Sequence, residues 1–184
     1  MRSYFSHFYE GQQNDWMTFE ELAKTVSIDA ETGRKTVKFN PEKFRREGDF
    51  VISNDEDVLH LCFSDDKVVR VPEGVKAIGR SAFFEDLCPN VKHIILSSTV
   101  VGIAQSAIEG YTVEELTIKN KYIYISDWAF DHCPSLRFIH HIPAQLTIHV
   151  NEVDGRYARP VRYEAMELSK QEDDGDYDPN DLPF

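Results

Sequence analysis

The sequence predicts an α+β, mostly β protein: a short solenoid of about three stacked coils with short parallel strands, capped by an N-terminal α+β segment and a C-terminal extension. Two observations predict it. A core recurs as Ile78-Gly79-Arg80-Ser81-Ala82-Phe83, Ile103-Ala104-Gln105-Ser106-Ala107-Ile108 and Ile125-Ser126-Asp127-Trp128-Ala129-Phe130. Each core is followed by a second apolar set: Val91, Ile94 and Leu96; then Val113, Leu116 and Ile118; then Leu136, Ile139 and a slipped Ile142. Ile103 follows Ile78 by 25 residues and Ile125 follows Ile103 by 22, while Val91, Val113 and Leu136 are spaced by 22 and 23.

A period of roughly 20 to 29 residues is that of a leucine-rich-repeat solenoid, in which one coil cannot cover its own apolar face and must stack on its neighbour. Residues 58–150 form this stack. Each coil reads as two strands joined by turns, one in Val75–Ile78, Val100–Ile103 and Tyr122–Ile125, the other carrying His93 and Ile95, Glu115 and Thr117, and Phe138 and His140 on its outward face. Alanine and the aromatic residue of each core fill the space between two narrow parallel sheets.

Residues 1–57 lack the repeat and form the α+β cap. Thr18 with Glu21 is a capping box and Met17 with Leu22 a hydrophobic staple, which predicts a short helix from Phe19 to about Lys24. Val26 and Ile28, then Val37 and Phe39, flank Asp29-Ala30-Glu31-Thr32-Gly33 as a hairpin with a longer turn. Asn40-Pro41 opens a second brief helix that Gly48 ends, with Lys43, Arg45 and Arg46 on its solvated face. Phe5, Phe8, Tyr9 and Trp16 are available to pack on the solenoid. At the other end the next repeat alanine is replaced by Glu152, so the array stops. Residues 151–168, with Val153, Tyr157, Val161 and Tyr163, are expected to cover its open end, and residues 169–184 to form an acidic tail.

The balance of 41% apolar and 28% charged residues describes a folded chain, and a net charge of −12 repels phosphate backbones and anionic lipid. A protein partner is therefore expected, with no nucleic acid, no membrane and no cofactor; oligomeric state is left open. The first residues lack the apolar run of a secretory signal, and no stretch reaches the roughly 20 apolar residues of a span, which points to the cytoplasm. The alternative is a cell-surface or secreted adhesin-like repeat protein, of which this sequence is a fragment lacking its leader. Three cysteines do not suggest a disulfide framework. Cys88 and Cys133 hold matching places two coils apart, roughly 10 Å between Cα atoms at a strand spacing of about 4.8 Å, so both read as buried thiols.

The coils resemble the bacterial leucine-rich repeats of the Treponema pallidum (BspA-like) type, whose unit reads approximately V-x-x-I-G-x-x-A-F-x-x-C-x-x-L-x-x-I-x-L-P. The matching residues are Val75, Ile78, Gly79, Ala82, Phe83, Cys88 and Val91, then Ile125, Ala129, Phe130, Cys133, Leu136 and Ile139. The middle coil departs, with Ile108 for the aromatic and Gly110 for the cysteine, and Asp86-Leu87 lies in an enlargement of the first coil. The resemblance implies a non-catalytic binding scaffold, often at a bacterial surface.

Other chemistry is outweighed. His132-Cys133 and His140-His141 invite a metal reading, but neighbours on a strand point to opposite faces, and Cys133 faces the core. Asp174, Asp176 and Asp178 mimic the start of a calcium loop, yet Pro179 stands where its glycine belongs. Neither a nucleophile elbow, a phosphate-binding glycine loop nor a zinc-protease motif occurs, and Cys62 sits in a strand-like run. The residues expected to meet a protein partner are Tyr122, Tyr124, Phe138, His140, Glu115 and Ile95 on the strand ladder.

Overall fold

A computed structural model of the chain describes residues 12–126, 128–130, 133–144 and 146–149. The expected cap at 151–168, the acidic tail with its aspartates, and Phe5, Phe8 and Tyr9 lie outside the described residues, as does His132. Helix α1 (Gln12–Ala23) leads into β1 (Ser27–Ile28) and β2 (Lys35–Thr36), an antiparallel hairpin. Next come β3 (Phe44–Glu47), β4 (Phe50–Ser53), β5 (Val58–Cys62) and β6 (Val68–Arg70). The repeats supply β7 (Ala77–Ile78), β8 (Phe83–Phe84), β9 (His93–Ile95), β10 (Gly102–Ile103), β11 (Ile108–Glu109), β12 (Glu115–Ile118), β13 (Tyr124–Ile125) and β14 (Phe138–His141). A 3-10 turn, Ile142–Ala144, precedes β15 (Leu146–His149).

The coils stack in register. Leu59, Ile78, Ile103 and Ile125 are successive partners in one parallel ladder, and Val69, Ile94, Leu116 and Ile139 in another. All of these but Ile125, which is half-buried, are core residues, so like side chains form columns down a shared interior. Four coils take part rather than three. The run from Val58 to Val71 is itself a coil, whose strands β5 and β6 pair in parallel with β7 and β9. It hides in the sequence because it is abbreviated: ten residues separate Leu59 from Val69, against sixteen from Ile78 to Ile94, and Cys62 donates its amide to Ala82 O at 2.7 Å without any recurring motif.

Each complete coil has three sides where two were expected. The aromatic position of the core forms its own short parallel pair, Phe83 with Ile108 and Phe84 with Glu109. The chain turns into this side through a left-handed residue at the same place in three coils: Ser81 (φ +54°), Ser106 (+49°) and Trp128 (+65°). None is glycine, and this backbone region costs an L-residue roughly 1–2 kcal/mol. Stacking offsets that cost, because Ser81 N donates to Ser106 O and Ser106 N to Trp128 O, each at 2.8 Å. Gly79 follows from close approach instead: a Cβ there would meet Leu59 O at 3.0 Å and Val58 Cγ1 at 3.2 Å.

A polar corner ties the coils outside the core. Glu73 accepts from Ser98 N at 3.2 Å and Ser98 Oγ at 3.0 Å, Asn120 Nδ2 donates to Ser98 O at 2.6 Å, and His141 Nε2 donates to Asn120 O at 2.8 Å. The opposite corner carries the Lys92–Glu114 ion pair at 2.6 Å and Thr112 Oγ1 on Val91 O at 2.8 Å. At the N-terminal end, β4 and β3 continue the six-stranded sheet antiparallel from β5, and at the other end β15 runs antiparallel to β14.

The cap differs from expectation in two places. The helix is already formed at Gln12, so Thr18 and Glu21 lie inside it; nothing between Gln12 and Met17 breaks a helix. Its buried Phe19 and Leu22 pack with Val51, Leu61 and Phe63. The predicted helix at Asn40–Gly48 is instead β3 and a tight turn, in which Gly48 (φ +59°) takes the chain back into β4. Pairing with Phe50–Ser53 overrides the local helix preference of Glu42–Glu47. Arg45 and Arg46 are consequently not a solvated helix face: Arg45 bonds Glu47, Ser53 O and Asp57 at 2.8, 2.7 and 2.8 Å, and Arg46 lies over the Phe63 ring. The β1–β2 hairpin forms as expected, with Asp29 Oδ1 accepting from Glu31 N and Thr32 N, and Lys35 fastens it to the solenoid through Asp65 at 2.6 Å and Leu87 O at 2.9 Å.

Ile103 is fully buried between Ile78 and Ile125. Ile103→Ala should therefore cost about 2–5 kcal/mol, read from the chemical denaturation midpoint; a loss below 1 kcal/mol would deny the column its structural role.

Candidate interaction surface

The six residues expected to contact a partner fall on two different sheets. Glu115, Phe138, His140 and Ile95 belong to the five-stranded sheet in the order β6-β9-β12-β14-β15, where Glu115 faces Phe138 across the ladder and Ile95, Thr117 and His140 form the next row. Tyr124 pairs with Gly102 in the six-stranded sheet and is half-buried against the core. Tyr122 precedes it on the corner and is 74% exposed.

Ile95 is not available. It is only 4% exposed, and Thr117 only 1%. Standing in a central strand between Arg70 and Thr117, at the close spacing of a parallel ladder, Ile95 is hidden rather than displayed. His93, also expected outward, is buried and hydrogen-bonds Thr117 Oγ1 through Nε2 at 2.8 Å.

What remains half-exposed here is a small polar and aromatic group. Glu115 Oε2 lies 3.4 Å from His140 Nε2 and 4.0 Å from His93 Nδ1, and the His140 ring stacks on Phe138 at 6.1 Å. Burial holds the His93 imidazole below its ordinary pKa of 6.5; Glu115 opposes this, and His140 and Arg70 add to it. The bond to Thr117 and the contact with Glu115 were invisible in the sequence, although the spacing of 22 and 23 residues between His93, Glu115 and Phe138 does mark them as column neighbours.

The corner differs in character. Asn120 Oδ1 accepts from Tyr122 N at 2.8 Å while its amide holds Ser98 O and its own carbonyl receives His141, so the turn bearing Tyr122 is fixed from both neighbouring coils. Lys121 Nζ lies 5.4 Å from the Tyr122 ring centre. His140 and His141 diverge, one toward Glu115 and the other toward Asn120. Among the described residues, no three His, Cys, Asp or Glu side chains are placed to hold a metal ion.

The cysteines are all free and buried. Cys88 Sγ donates to Phe84 O at 3.2 Å and Cys133 Sγ to Ile108 O at 2.8 Å, at matching turns. Gly110 takes this place in the middle coil because a Cβ there would lie 2.8 Å from Val113 Cγ2. Cys62 falls outside the repeat pattern, and burial first, then the neighbouring Cys88, drives its pKa well above the usual thiol value.

With this geometry in place, comparison with known proteins assigns the class. The family described as BspA type Leucine rich repeat region (6 copies) matches residues 60–152, 93 of the 184 residues. The chain belongs to this BspA-type leucine-rich-repeat family, and membership is consistent with a repeat protein of protein interaction or adhesion. No curated protein and no solved structure matches it significantly. No described helix is long and apolar enough to cross a membrane.

The thiols give one expected outcome. A thiol-reactive probe should leave Cys62, Cys88 and Cys133 unlabelled in the folded protein and label them on denaturation; rapid labelling of the native chain would contradict their burial. His93 gives another. The unfolded chain takes up a proton near pH 6.5 whereas folded His93 resists it until a lower pH, so its contribution to stability is complete above 6.5 and is lost as pH falls below it. Urea midpoints from pH 7.5 to 5 should fall, and His93→Gln should flatten that slope; an identical slope in the variant would remove His93 as its source.

Proposed function

We propose that the chain is a non-catalytic protein-interaction scaffold whose contact surface centres on Tyr122, flanked by Lys121 and the half-buried Tyr124, and that Glu115, Phe138 and His140 form a second, weaker contact row. The observation that carries this reading is the 74% exposure of a large aromatic side chain on a turn clamped by neighbouring coils. A rigid aromatic loses little conformational entropy on binding, which is why such residues anchor protein interfaces. Chemistry that would suggest turnover is committed elsewhere. Cys62, Cys88 and Cys133 are buried, and His93 is bonded to Thr117. Free thiols also fit a reducing compartment, which supports cytoplasmic work.

A partner purified with the chain from its native organism provides the test. Tyr122→Ala should weaken binding at least tenfold while the melting temperature stays within a degree or two, because an exposed side chain contributes little to folding. Tyr122→Phe should bind nearly as well as the parent. Unchanged affinity in the alanine variant would remove the corner from the interface.

A second reading, adhesion at a cell surface, is favoured by membership of the BspA-type family. Protease treatment of intact cells separates the two: an adhesin is degraded, and a cytoplasmic scaffold survives.

A further inference from the structure

At the N-terminal end of the solenoid the two large sheets finish differently. The six-stranded sheet is continued by the β3–β4 hairpin, whereas the five-stranded sheet stops at β6. The backbone of β6 alternates. Lys67 O accepts from His93 N at 3.0 Å and Val71 N donates to Ile95 O at 2.9 Å. The peptide groups of Lys67, Val69 and Val71 therefore face β9, and those of Val68 and Arg70 face away from it. Among the described residues no strand pairs with that outer side. Val69 is buried in the core, while Val68 is 46% exposed and Asp65, Asp66, Lys67 and Arg70 are exposed with it.

We propose that this edge pairs with the same edge of a second copy of the chain, antiparallel across a two-fold axis centred on Val69. In that register Val68 of each copy opposes Arg70 of the other, and the two exchange both of their N–H···O bonds on either side of the axis; Val69 faces its counterpart at a non-hydrogen-bonded position. The edge is its own complement. Val68 lies against the aliphatic stem of the opposing Arg70 on both sides, which covers the exposed valine and leaves the guanidinium in water. Lys67 stands diagonally across from Glu73 of the other copy, opposite in charge, while Asp65, which falls opposite that Glu73 beyond the paired strand, is already neutralised by Lys35. A slip of one residue would present the peptide groups already bonded to β9, so only registers two residues apart can form, and of these the one centred on Val69 pairs both outward residues of the strand with each other. Pro72 ends the strand, and the paired segment is short. With a charge of −12 on each chain, the resulting dimer is weak and strengthens as salt screens the repulsion.

Sedimentation of the full chain from about 10 µM to 1 mM, at low and high salt, tests this. A monomer–dimer equilibrium with a dissociation constant of roughly 0.1–1 mM, tighter at high salt, is expected for so small an interface. Val68→Pro removes an amide hydrogen that points out of the molecule, so it should keep the parent circular dichroism spectrum and weaken dimerisation at least tenfold. If that variant fails to fold, Val68→Asp changes only an exposed side chain and should weaken the dimer by a similar factor. A chain that stays monomeric to 1 mM leaves the edge to another partner's strand and overturns the proposal. So does a dimer that weakens with salt, or one that persists in a folded Val68 variant.

Discussion

The in-register stacking of one coil on the next is the constraint from which the rest of the molecule follows. A strand of two residues cannot hold itself, since two or three backbone bonds do not offset the conformational entropy lost in ordering it. Here the inner strands β7, β10, β9 and β12 are bonded on both sides by their counterparts one coil away, and Leu59, Ile78, Ile103 and Ile125 lie in one apolar column. The cost of stacking appears where it ends, because a terminal coil leaves an apolar face and unbonded backbone. The helix, the β3–β4 hairpin and β15 are answers to that problem. They cover the β5 side at one end and the β14 side at the other.

Stacking also makes unfavourable local geometry affordable. The left-handed corner at Ser81, Ser106 and Trp128 would be costly in an isolated turn, yet it recurs because the Ser81 and Ser106 amides are each bonded to the next corner. The same logic explains the rigidity of the Tyr122 turn. Glu73, Ser98, Asn120 and His141 come from four successive coils and are bonded end to end, so a side chain on that corner is held by the whole array rather than by its own loop. Function in such a scaffold resides in what projects from a fixed frame, not in groups that converge in a cleft.

Side chains with reactive chemistry have been absorbed into this frame. Cys88 bonds a carbonyl of its own coil and Cys133 one of the coil before, and His93 bridges to Thr117. Burial raises the Cys62 thiol pKa and lowers that of the His93 imidazole, in each case because a low-dielectric surrounding disfavours the charged form. Both shifts favour structural over chemical roles.

The repeat spacing determined the fold class and the in-register columns, because a coil with an apolar face recurring every 22 to 25 positions is covered by its neighbour, while the motif residues Ile78, Gly79, Ala82, Phe83 and Cys88 carried the resemblance to the family. Repeat position also located the buried Cys88 and Cys133, and local turn signals located the β1–β2 hairpin. Three things were decided only by tertiary structure. The abbreviated coil at Val58–Val71 carries no motif, and only its pairing with β7 and β9 reveals it. Residues Phe44–Glu47 favour a helix by composition and become a strand because β4 offers them backbone partners. Ile95, outward by alternation, is hidden, while Tyr122 remains exposed. Periodicity states which side of a strand a residue occupies. Whether that side meets water depends on what else packs there, and such contacts are made between residues far apart in the chain.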